Sequence, residues 1–131
     1  MQKAELIRYL NTDLDVMSAV DLRELAAALE QSGLVALHCE PGEDGLWSAC
    51  FEAEVQFEQP EETIALMVSV LEGVGAELRS QLHRCSLLEF NLGYACGDEP
   101  WAFNQGVSAA LLGRMAVLGV GLRVTIYPLR S

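Results

Sequence analysis

The sequence predicts an α+β domain of ferredoxin-like order, a split β-α-β core (βαββαβ) followed by an extra helix and strand, with a mostly antiparallel sheet and helices on one face. Three observations point there. Four stretches alternate apolar and polar residues at period two and so carry one dry face each. Other stretches repeat apolar residues at steps of three and four. The order of these signals is strand, helix, strand, strand, helix, strand, then helix and strand. No linker, internal repeat or low-complexity segment interrupts the 131 residues, so residues 1–131 read as a single α+β domain.

The first strand is legible over residues 10–17, where Leu10, Thr12, Leu14 and Val16 alternate with Asn11, Asp13 and Asp15. Ser18-Ala19-Val20-Asp21 matches the acidic variant of a capping box, with Ser18 as acceptor for an orphan backbone donor of the next helix. That helix carries Leu22, Leu25 and Leu29, and Gly33 supplies its left-handed stop. Residues 34–40 form a short apolar strand, and Pro41-Gly42-Glu43-Asp44-Gly45 is a turn cluster. The next alternation is long: Trp47, Ala49, Phe51, Ala53, Val55 and Phe57 on one face, Ser48, Cys50, Glu52, Glu54, Gln56 and Glu58 on the other.

Pro60 suits a first helical position, and Glu61 and Glu62 complement the positive end of the helix dipole. Ile64, Met67, Leu71, Val74, Leu78 and Leu82 then make a core stripe. Gly73 and Gly75 cost about 1 kcal/mol each inside a helix, which predicts a break and two shorter helices. Leu88, Phe90, Leu92 and Tyr94 alternate with Glu89, Asn91 and Gly93 as a fourth strand. Residues 97–106 are a loop, Ser108 caps a last helix holding Leu111, Leu112 and Met115, and Gly119 closes it. Leu122, Val124 and Ile126 alternate with Arg123, Thr125 and Tyr127 in a final strand.

Charge sets the first limits on function. The formal net charge is −11, and between Glu24 and Leu78 there are twelve carboxylates and no Lys or Arg. Such a field repels phosphates and anionic lipids, so neither nucleic acid nor membrane is an expected partner. It favours encounter with a basic protein or a cation, or else it only maintains solubility. The longest apolar region, residues 107–122, is too short and too broken by glycine and Arg114 to span a bilayer. The opening Met1-Gln2-Lys3-Ala4-Glu5 has no apolar stretch of signal-peptide length, so the expected location is the cytoplasm. Cys39, Cys50, Cys85 and Cys96 show no C-x-x-C spacing and read as reduced thiols in or near the core.

In the ferredoxin-like order the first strand lies beside the third and the fourth. Asp13 and Asp15, Glu52 and Glu54, and Glu89 with Asn91 then gather on the uncovered sheet face. Like charges about 5 Å apart in water oppose each other by roughly 1 kcal/mol per pair. Arg123, a bound cation or a basic partner would compensate them, or strand twist and solvation would.

Catalytic and metal patterns are weak. Asp13-Leu14-Asp15 points two carboxylates the same way, as a hard divalent cation requires, but any wet strand face does so too. His38-Cys39 and His83-x-Cys85 lack the paired spacing of zinc sites. Cys50 sits among acids, which works against thiolate chemistry, and Cys96 would need His38 or His83 as a base. Phosphate-cradling glycine loops and a G-x-S-x-G turn are missing from the sequence. No catalytic residue, metal ligand or cofactor is assigned. In the loop 97–106, Trp101 and Phe103 are large rings among polar residues. They either fold over the sheet edge into the core or form a binding tip steered by Asp98 and Glu99.

Three segments carry a resemblance: Tyr9-Leu10-Asn11-Thr12-Asp13-Leu14-Asp15, the run from Phe90-Asn91-Leu92-Gly93-Tyr94 through Cys96-Gly97-Asp98-Glu99-Pro100-Trp101-Ala102-Phe103, and Thr125-Ile126-Tyr127-Pro128. Together they resemble an uncharacterised family of short bacterial acidic α+β proteins over nearly the whole chain, and the resemblance implies no activity. In size and charge alone the chain is also similar to small acidic immunity proteins that neutralise a basic toxin.

The expectation is therefore a non-enzymatic binding module for a basic protein partner. The candidate binding residues are Asp13, Asp15, Glu52, Glu54, Glu89, Asn91, Asp98, Glu99 and Trp101. A divalent-metal or hydrolytic site on the acidic face, and a homodimer through the open face, are the alternatives.

Overall fold

The computed structural model describes residues 5–129; the opening residues 1–4 and the final two lie outside the described residues. A mixed five-stranded sheet and four helices make up an α+β fold, with strand order β2-β3-β1-β4-β5.

β1 (Arg8–Ser18) is the central strand because every second side chain from Thr12 to Ser18 is buried. Leu14 and Val16 are almost wholly enclosed on the helix side, while Asn11, Asp13, Asp15 and Met17 stay half-exposed on the other. β1 pairs antiparallel with β3 (Trp47–Ala53) and β4 (Leu87–Ala95). β2 (Leu34–Pro41) pairs antiparallel with β3 through the turn at Gly42 and Gly45, where Gly45 has φ 81°. β5 (Gly121–Tyr127) joins the far side of β4 in parallel, which makes the sheet mixed.

α1 (Arg23–Gln31) lays Leu25, Ala26 and Leu29 on the sheet, and Gly33 follows it at φ 106°. The expected capping box does not form. Ser18 ends β1 and its hydroxyl accepts from the Val20 N–H, while Asp21 accepts from the Arg23 N–H. The chain needs residues 19–22 to turn from sheet to helix, so Ser18 is too early to reach the helix donors.

α2 (Pro60–Glu72) begins with Pro60 at its first turn and stops at Gly73; α3 (Ala76–His83) starts after Gly75, so the two glycines divide the second helical crossover. α4 (Ala109–Leu118) is capped by Ser108 Oγ, which accepts the Leu111 N–H at 3.2 Å, and closed by left-handed Gly119. Leu111, Met115 and Leu118 of α4 join Ile64, Met67, Val68 and Leu71 of α2, together with Phe51 and Phe90 of the sheet, in one core. Truncating either fully buried phenylalanine to alanine costs about 3–5 kcal/mol. No helix among the described residues is long and apolar enough to cross a membrane.

β3 ends at Ala53, so the alternation through Val55 and Phe57 does not continue as strand. Leu14–Phe51 is the last pair between β1 and β3; Glu52 and Ala53 still pair with β2, and from Glu54 the chain leaves the sheet in a bend to reach Pro60.

The acidic open face as a candidate functional site

The sheet register places the acidic residues. Asp15 lies between Cys50 of β3 and Glu89 of β4, and Asp13 faces Asn91. One step beyond the Leu14–Phe51 pair, Asp13 comes level with Glu52. Asn91 is in register with Arg123 on β5. Asp13, Asp15, Glu52, Glu89 and Asn91 therefore share the helix-free side of three neighbouring strands, β3, β1 and β4.

Only part of this charge is answered. Arg123 forms an ion pair with Glu89, whose side chain is 13% exposed. Thr125 Oγ1 donates to Asn91 Oδ1 at 2.7 Å, and Asn11 Nδ2 donates to Asp13 Oδ1 at 3.0 Å. Among the described residues, no cationic side chain pairs with Asp13. Partial burial, then the neighbouring charges of Asp15 and Glu52, push its carboxyl from 3.8 up to about 6. The side chains are thus not merely splayed into solvent; at neutral pH Asp13 holds its charge against its surroundings. Burial, then the charge of Asp13, a hydrogen bond to Asp15 and the charges of Asp15 and Glu52, push the Cys50 thiol well above its ordinary value, which disfavours a thiolate there.

Glu54 is a correction to the expected face. It lies past the end of β3, exposed in the bend, on the rim of a cavity of about 290 Å³ between the 52–57 segment, the Tyr9–Thr12 part of β1 and Thr63. Tyr9 Oη is hydrogen-bonded to Thr12 and donates to Thr63 Oγ1 at 3.0 Å, which ties β1 to α2 beneath that cavity.

The loop 97–106 sits at the Ala95 end of β4, several residues along the sheet from the Asp13–Asn91 pair. Asp98 Oδ1 accepts the Glu5 N–H, the Asp98 N–H donates to the Glu5 carbonyl, and the Glu99 carbonyl accepts the Ile7 N–H. Asp98 thus has a local structural role, and neither acid joins the cluster on the sheet. Gly97 is required there, since a Cβ would stand 2.5 Å from the Ile7 nitrogen. The two rings of the loop part company. Phe103 packs edge-on against Tyr94 at 6.1 Å, whereas Trp101 is 99% exposed and plugs nothing. The reading of Trp101 as a core plug is therefore corrected.

All four cysteines are free thiols, and among the described residues no group of three or more His, Cys, Asp or Glu side chains is arranged to hold a metal ion. Two features escaped the sequence reading. The apolar side of β5 is exposed, and Arg23, held by Asp21, covers the Trp47 ring at 5.4 Å. Both depend on which strands and loops become neighbours, and no local pattern signals that.

Comparison of the chain with family models, curated proteins and solved structures finds no match.

Proposed function

We propose that this is a non-enzymatic protein-binding domain, inhibitory or immunity-like in kind, whose acidic open sheet face meets a basic protein partner. The observation that carries the reading is Asp13: a half-buried carboxylate without a cation among the described residues, level with Glu52 and next but one to Asp15, on a face whose Arg123 is already committed to Glu89. A guanidinium or ammonium group supplied by a partner would relieve that repulsion, and the field around the cluster would speed its approach. The antiparallel order β2-β3-β1-β4 supports a ferredoxin-like core to which α4 and β5 are appended, leaving this face free of helices. Four unpaired thiols suit a reducing, cytoplasmic setting. The negative field also speaks against nucleic acid and anionic membrane as partners.

The test is capture of basic proteins from the native host at low and high salt, with the triple variant Asp13→Asn, Asp15→Asn, Glu52→Gln alongside. The reading expects a partner that is released by salt and not retained by the variant. A partner held equally by the variant, or unaffected by salt, would overturn it.

A further inference from the structure

We infer that β5 is a self-association edge, at which two copies of this chain pair antiparallel, strand against strand, and extend the two sheets into one.

The two edges of the sheet are built differently. β2 carries a register break between Ala36 and His38 and ends in Glu40 and Pro41, devices that discourage a further strand. β5 has none of these within its length. It pairs with β4 in unbroken register and presents Leu122, Val124 and Ile126 at 45%, 54% and 64% exposure. These three are in register with Phe90, Leu92 and Tyr94 and so lie on the helix side of the sheet, where α4 leaves them uncovered.

Strand geometry supplies the pairing groups. The Tyr127 carbonyl accepts the Cys96 N–H and so points toward β4. Backbone groups alternate sides along a strand, which turns the N–H and C=O of Leu122, Val124 and Ile126 outward. Antiparallel pairing centred on Val124 sets Leu122 against Ile126 of the second copy and Val124 against its own counterpart. Arg123 falls opposite Thr125 on the other face and keeps Glu89.

Charge selects a second copy as occupant. All of the chain's 19 carboxylates lie before Pro100, and the sequence from Pro100 onward has none. β5 itself carries no carboxylate, and Glu89, the carboxylate of β4 beside it, is held by Arg123, so two copies of a chain of net charge −11 can pair along this strand without setting carboxylates of β5 against each other. The exposed side chains of Leu122, Val124, Ile126, Tyr127 and Leu129 offer at most roughly 500 Å² per copy, so the pair buries no more than about 1,000 Å², which places it at the small, reversible end of specific interfaces. Pairing across a two-fold axis normal to the sheet is isologous and sets both acidic faces on the same side.

Sedimentation of the full chain across the micromolar range, without any partner, tests this. A concentration-dependent monomer–dimer equilibrium is expected, with amides of Leu122, Val124 and Ile126 exchanging more slowly as concentration rises. Ile126→Lys weakens association at least about tenfold. Val124→Pro abolishes it while leaving the β4 ladder intact, because that N–H faces outward. Leu37→Lys, on the opposite edge, changes nothing. A chain that stays monomeric throughout, or a dimer broken by Leu37→Lys and not by Ile126→Lys, overturns the inference. Should Val124→Pro fail to fold, the exchange rates of the unaltered chain decide. Basic-protein capture by the monomeric Ile126→Lys variant reads the acidic face separately.

Discussion

Arg123 on β5 reaches back across the parallel pair to hold Glu89 on β4, although its register partner is Asn91. That diagonal joins the edge strand to the strand beside Asp15 and removes one carboxylate from the unanswered negative charge. Replacing Arg123 with Gln leaves a largely enclosed Glu89 without its cation and adds its charge to that of Asp15. The variant should melt at a lower temperature than the parent in dilute buffer, with the gap narrowing as salt is added. A gap independent of salt would assign the loss to packing by the arginine stem instead.

Asp13 gives a pH dependence of defined sign. Its folded-state value, about 6, lies above the ordinary 3.8. Protonation is thus favoured in the folded chain, and the stability this group contributes is complete below about 4 and lost as pH rises through about 6. Asp13→Asn removes the penalty. After discounting for its half-exposed position, the variant should gain about 1–2 kcal/mol at pH 7, and the gain should fade between pH 6 and 4. Urea unfolding at several pH values reads both; a variant no more stable than the parent at pH 7 contradicts the assignment.

The two tryptophans should behave as opposites. Trp101 is almost wholly in solvent, while Trp47 lies under the Arg23 guanidinium. Trp101→Ala should leave stability within about 0.5 kcal/mol and remove the emission component most readily quenched by iodide. Phe103→Ala, which deletes the ring packed edge-on against Tyr94, should cost about 1–2 kcal/mol. Equal costs for the two would mean that Trp101 packs after all.

The metal alternative has a direct assay. Thermal unfolding with Mg²⁺, Mn²⁺, Ca²⁺ or Zn²⁺ should show no stabilisation, since ligand at a hundred times its dissociation constant adds about 2.7 kcal/mol. A shift abolished by Asp13→Asn with Asp15→Asn would replace the protein-binding reading with a cation site.

Local chemistry was well recorded in the sequence. Gly33 and Gly119 stop helices in the left-handed region, Gly73 and Gly75 split one crossover, and Ser108 caps α4, each through forces acting within a few residues. The alternation of Asp13 and Asp15 with Leu14 and Val16 named the open face correctly, because a half-buried strand writes its two environments at period two. The same rule failed at Val55 and Phe57, where the pattern continues after β3 has left the sheet at Ala53. It read Leu122, Val124 and Ile126 as one side of a strand without showing that they, like Trp101 in its loop, stay exposed. Their apolar chemistry looks like core, and only the position of a loop or an edge strand leaves it in water.

Chemical-shift mapping of the labelled chain titrated with a lysine- and arginine-rich peptide in dilute buffer addresses the central claim most directly. The account predicts saturable shifts concentrated at Asn11, Asp13, Asp15, Glu52, Glu89 and Asn91. Shifts spread evenly over the carboxylates of α2, α3 and the 40–44 turn, with the sheet face unmoved, would contradict it.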